Sequence, residues 1–111
     1  MIRRAILTAM MLGGVAVRAP VWGSDLPAAA EVTIDNFSFS PQVLTVAPGT
    51  KVTWTNRDDI PHTVTSSEDP AHVRSRPLDT DESYSMTFDK PGTYGFFCSL
   101  HPHMTSQVIV R

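Results

Sequence analysis

Two Pro-Gly pairs, Pro48-Gly49 and Pro91-Gly92, each stand between runs in which apolar and polar residues alternate one for one. Proline presets φ and glycine tolerates the positive φ that follows, so such a pair suits the centre of a type II turn. Period-two runs punctuated in this way fold as strands and turns. After the first pair, Val52 and Trp54 face one way in Lys51-Val52-Thr53-Trp54-Thr55-Asn56. Ahead of the second, Tyr84, Met86 and Phe88 alternate with Ser83, Ser85 and Thr87; after it, Tyr94, Phe96 and Cys98 share a face. Glu31 to Asp35, Val43 to Val46 and Gln107 to Val110 read as further strands, and Phe37 and Phe39 carry the same period on to Pro41. No helical period competes, so the expected architecture is an antiparallel β-sandwich. From Ser66 to Pro77 the pattern lapses into a polar, proline-punctuated surface connection, where His72 is read as solvated.

The start of the chain reads differently. Met1-Ile2-Arg3-Arg4 is positive, Ala5 to Val17 carries no charge, and small residues follow near Gly23. That is the layout of a secretory signal, too short to span a bilayer. Residues 1–23 are expected to be cleaved, residues 24–30 to form a flexible leader, and residues 31–111 to form one domain. Removal of Arg3, Arg4 and Arg18 leaves six basic residues against eleven acidic ones, a net charge of −5. No basic footprint for nucleic acid remains. The expected product is periplasmic and monomeric, with no membrane span after processing.

Cys98 is the sole cysteine, so no internal disulfide is possible. A free thiol in an oxidising compartment invites oxidation unless something occupies it. The residues around it suggest an occupant. Cys98, His101 and Met104 fall at i, i+3 and i+6, directly after an aromatic strand, and His62 enters from a loop far upstream. Two imidazoles, a thiolate and a thioether form the donor set of a type 1 copper site, in which the thioether is a long axial ligand. Zinc takes thioether poorly, so Met104 favours copper. Asn56 ends the strand before the His62 loop and is expected to tie the two ligand loops together near Ser99. His103 would break the even spacing and is expected at the surface. The four donors leave no open coordination position for an enzyme. With only Met86 and Met104 left beyond the signal, copper delivery or sequestration is the second reading after electron transport.

Val52-Thr53-Trp54-Thr55-Asn56-Arg57, Ile60-Pro61-His62, Tyr84 to Phe88, Pro91-Gly92-Thr93-Tyr94 and the Cys98-to-Met104 loop together resemble the cupredoxins of the plastocyanin/azurin family, above all the short-loop amicyanin group. The resemblance covers Val32 to Val110. It implies a Greek-key sandwich, one blue copper bound by His62, Cys98, His101 and Met104, and Asn56 as a supporting residue. It implies single-electron transport between a redox donor and an acceptor, such as a periplasmic dehydrogenase and a c-type cytochrome. It also implies that the electron leaves at His101, within an apolar patch near Ile60, Pro61 and Pro102. His103 stands where such loops carry an aromatic, which makes the patch more polar.

Overall fold

The computed structural model describes residues 28–111. The predicted signal, residues 1–23, lies outside the described residues. Eight strands follow: β1 (Ala29–Asp35), β2 (Ser38–Ser40), β3 (Val43–Val46), β4 (Thr50–Asn56), β5 (Thr65–Ser66), β6 (Ser83–Phe88), β7 (Gly92–Cys98) and β8 (His101–Val110). They form two four-stranded sheets, ordered β2-β1-β4-β6 and β3-β8-β7-β5. Among the described residues, no helix is long and apolar enough to cross a membrane.

The expectation of a wholly antiparallel sandwich needs correcting. β1 pairs parallel with β4, and β3 pairs parallel with β8. Side-chain alternation reports which face a strand buries, and it is the same in both directions. Direction is decided by the connections instead. Between β1 and β4 the chain crosses to the other sheet to form β3, then returns to lie beside β1 running the same way. The start of the domain also moves. Ala29 and Ala30, expected in the flexible leader, pair with Lys51 and Val52 as the first residues of β1.

The alternating faces meet as expected. Val32, Ile34, Val52, Trp54 and Phe88 from one sheet pack with Val46, Phe96, Val108 and Val110 from the other. Trp54 bridges the layers, its ring centroid 5.2 Å from that of Phe96 and 6.2 Å from that of Phe88. Burying one aliphatic or Phe side chain of this kind contributes ~1.5–3 kcal/mol. On the outer face, Thr53 bonds Ser85 and Thr55 bonds Ser83, hydroxyl to hydroxyl at 2.8 Å, which fixes the β4–β6 register.

The two Pro-Gly pairs behave differently. At the first, the Thr50 amide donates to Ala47 O at 3.2 Å and Gly49 has φ +91°, the geometry of a type II turn. At the second, Gly92 is near-extended at φ +157° and already pairs with Val110, so it opens β7. The β1–β2 hairpin also departs from expectation. Phe37 does not continue a strand with buried Phe39; it forms the hairpin tip with Asn36, at φ +58° and +53°.

The segment after β5 is only partly the expected surface connection. Ser67 to His72 is exposed. Beyond it the chain folds back along 62–66: the Ser66 amide donates to Val73 O at 2.9 Å and the Ser75 amide to Val64 O at 2.8 Å. Buried Val64 and Leu78 anchor this double layer.

Candidate metal centre

The alternation of β7 aims Phe96 and Cys98 inward, and Cys98 ends the strand fully buried. Ser99 and Leu100 then turn the chain so that Cys98 pairs with His101. One step back, Phe97 pairs with Thr105. The register therefore slips, and Pro102, His103 and Met104 bulge out of the β7–β8 ladder. A bulge re-aims side chains. Here Pro102 and His103 are exposed, whereas Met104 turns into the buried cluster that contains Cys98.

His62 reaches the same place from the loop after β4. Its amide donates to Leu78 O at 3.1 Å and the Leu78 amide donates to His62 O at 2.7 Å, so its backbone is clamped on both sides. Asn56 braces this loop from below. Its side-chain NH₂ donates to Ile60 O and Leu78 O, each at 2.8 Å, and its Oδ1 accepts the Asp58 amide at 2.9 Å. Asn56 thus ties the His62 loop to the segment before β6. The bonds to Ser99 come from Thr63, whose Oγ1 accepts the Ser99 amide at 2.8 Å and pairs with Ser99 Oγ at 2.9 Å.

Among the described residues, His62, Cys98 and His101 are the one group of His, Cys and carboxylate residues close enough to share a metal, their donor atoms within 4.8 Å of one another. Cys98 Sγ lies 3.6 Å from His62 Nδ1 and 3.7 Å from His101 Nδ1. Metal–nitrogen and metal–sulfur bonds of about 2.0 and 2.3 Å, opening at roughly 110–120°, place N and S about 3.5–3.7 Å apart. The observed spacing has room for one ion between the donors. The Thr63 amide donates to Sγ at 3.3 Å, which fixes the sulfur against the His62 loop.

The far nitrogen of His62 meets Asp58 Oδ2 at 2.7 Å. An ionised carboxylate only accepts, so the proton sits on Nε2 and Nδ1 is left free to bind metal. Asp58 also accepts the Asn36 amide on Oδ1 at 2.6 Å and the Phe37 amide on Oδ2 at 2.9 Å. Burial works to raise the Asp58 pKa. The Phe37 amide, the His62 ring and the Asn36 amide outweigh it, together with the attraction of His62, and hold it at about 2 against an ordinary 3.8.

Over the imidazoles lies Phe37. Its ring is nearly perpendicular to both, at 87° and 5.6 Å from His62 and at 90° and 5.1 Å from His101. A left-handed backbone costs a residue with a side chain ~1–2 kcal/mol, and Asn36 and Phe37 adopt it in succession.

The structure thus brings His62, Cys98 and His101 together and buries Met104 at the adjoining bulge. His103 and His72 stay outside, exposed, with His72 Nδ1 3.0 Å from Asp69. Sequence reasoning missed Thr63, Asp58 and Phe37. The one usable signal was Asp58 four residues before His62, a spacing that let a carboxylate reach back to the ring.

Comparison with known proteins agrees with this geometry. Residues 27–111 match the family described as copper binding proteins, plastocyanin/azurin family. Amicyanin-alpha of Methylorubrum extorquens is 34% identical over 84 residues, covering 73% of this chain and 71% of that protein. Among solved structures, an oxidised amicyanin variant superposes with a TM-score of 0.70 at 31% identity, over 77% of this chain and 84% of its own. A purple cupredoxin from Nitrosopumilus maritimus gives 0.68 at 32% identity, over 74% of this chain and 99% of its own.

Proposed function

Because this chain belongs to the plastocyanin/azurin family of copper-binding proteins, we propose that His62 Nδ1, Cys98 Sγ and His101 Nδ1 would hold its single type 1 copper, with the Met104 thioether as the fourth donor. The chain is a blue copper protein that carries single electrons. Bound copper supplies the Cu(I)/Cu(II) couple. The protein's part is to keep the donors where neither oxidation state has to rearrange them. Asn56 and the Leu78 bridge immobilise His62, Thr63 holds Ser99 and Sγ together, and the two sheets pin both loops.

The observation that carries this reading is the pair of Sγ–Nδ1 distances, 3.6 and 3.7 Å, which match what a shared ion requires. A site filled by four protein donors supports a carrier over an enzyme. Burial of His62 and Cys98 behind a hydrogen-bonded frame supports electron transport over copper delivery. The electron leaves through partly exposed His101, flanked along the chain by exposed Leu100 and Pro102. Its donor and acceptor are redox proteins, such as a dehydrogenase and a c-type cytochrome. The finer reading adds Greek-key connectivity, a cleaved signal over residues 1–23, a periplasmic location and a monomeric state.

Redox titration with absorbance and potential recorded together tests this. A carrier shows an intense thiolate-to-copper band that bleaches and returns over repeated cycles with copper retained. Loss of copper to a chelator on the first reduction would make it a delivery protein instead.

A further inference from the structure

Two neighbouring phenylalanines at the β1–β2 hairpin have opposite fates. Phe39 is buried in the core, whereas Phe37, two residues earlier, is 52% exposed and sits at φ +58°. A two-residue hairpin tip with positive φ at both positions favours Asn-Gly. This chain has the Asn, but Phe37 stands where glycine would cost least. Core burial does not explain the choice, because the residue is half exposed. Strained residues persist where the surroundings over-determine them, and such places concentrate at functional sites.

What over-determines Phe37 is the metal centre itself. Asp58 Oδ2 accepts both the Phe37 amide and the His62 Nε2 proton, so one oxygen locks the turn to the ligand. The ring this turn projects touches His62 and His101 edge-to-face, while the two imidazoles stand 4.9 Å apart at 61°. Three rings in mutual contact have little freedom to tilt. His62 is also held by its backbone and by Asp58, whereas partly exposed His101 gains a second wall from Phe37.

We propose that Phe37 is a positioning residue of the copper centre: the strained hairpin tip holds its ring edge-on against both imidazoles and so fixes their tilt and spacing. The inference rests on the ligand set given above. It assigns to a turn residue of the opposite sheet the role of outer wall for His101. The wall needs a flat aromatic, since an aliphatic side chain offers no edge to two rings at right angles.

The test uses Phe37→Gly and Phe37→Tyr in the full chain. Glycine removes the ring and relieves the turn; tyrosine keeps both ring and strain. The expected result has two parts. Metal-free Phe37→Gly unfolds at a denaturant concentration no lower than the native chain's. Its copper form loses the ion to a chelator about tenfold faster and shows an altered Cu(II) hyperfine splitting. Phe37→Tyr restores native copper retention and splitting. The proposal is overturned if Phe37→Gly matches the native chain in both copper readouts, if its metal-free form is destabilised or unfolded, or if Phe37→Tyr fails to restore the site. Should the native chain show no thiolate-to-copper band, the ligand assignment fails, and that outcome is separate from all three.

Discussion

His62 and His101 present the same atom to the same sulfur from nearly the same distance, yet they are held in opposite ways. His62 is fully buried, its backbone bridged to Leu78 and its far nitrogen fixed by Asp58. His101 follows a tight turn, opens an irregular strand, and keeps part of its surface in solvent beside exposed Pro102 and His103. The inner arm makes the site stiff and the outer arm makes it reachable. A carrier needs both, because a donor set that moves slows the electron and one wholly enclosed gives it no short way out.

The comparison breaks most completely at the atom the two arms share. Cys98→Ser is expected to abolish the thiolate-to-copper band, and an unchanged band in the copper-loaded variant would remove Cys98 from the site. Next comes the frame of the inner arm. Asn56→Ala leaves the Ile60 carbonyl and the Asp58 amide without their partner and removes one of the two donors to Leu78 O, which keeps the His62 amide. A loss of about 2–4 kcal/mol in denaturant unfolding is expected. Asp58→Asn replaces an acceptor oxygen by a donor opposite the His62 ring. Removing such a partner costs roughly 10–100-fold in metal affinity, read by chelator competition.

A gentler probe of the same carboxylate is acid. The folded-state pKa of Asp58, about 2, lies below the ordinary 3.8. The folded chain therefore binds that proton less readily than the unfolded one. The stability Asp58 contributes is complete above about pH 4 and is lost as pH falls towards 2. Denaturant unfolding of the metal-free protein should show this decline, and Asp58→Asn should flatten it. The smallest effect belongs to the outer arm. His103→Gln should leave the visible spectrum unchanged and stability within about 0.5 kcal/mol; a shifted spectrum would place His103 at the metal.

Much of this was legible in residue order. Alternation located β1, β4, β6 and β7, because a half-buried strand must alternate. The chemistry of Cys98, His101 and Met104 marked the metal-binding end, because few other uses bring those three types together. What stayed hidden depends on partners far away along the chain. The parallel pairings of β1 with β4 and β3 with β8 follow from crossings between sheets, which leave no periodic trace. Thr63 and Thr65 look like surface residues, but their hydroxyls bond each other at 3.0 Å inside the buried run 62–66. Phe37 shares the parity of Phe39, yet it stands at the hairpin tip with its amide on the Asp58 carboxylate, which arrives from another loop. Asn56 was recognised as a tether, but its bonds run to Ile60 and Leu78.

The lengths of the outermost strands bear on life at high concentration. At one margin of each sheet the strand is very short, three residues in β2 and two in β5, whereas β6 and β3 at the opposite margins run six and four residues. Unpaired margins are templates on which a second copy can add, and brevity is one natural defence against such growth. A shuttle must collide with its partners continually and part from them each time. At the β2 and β5 margins, brevity leaves a second copy little backbone on which to add.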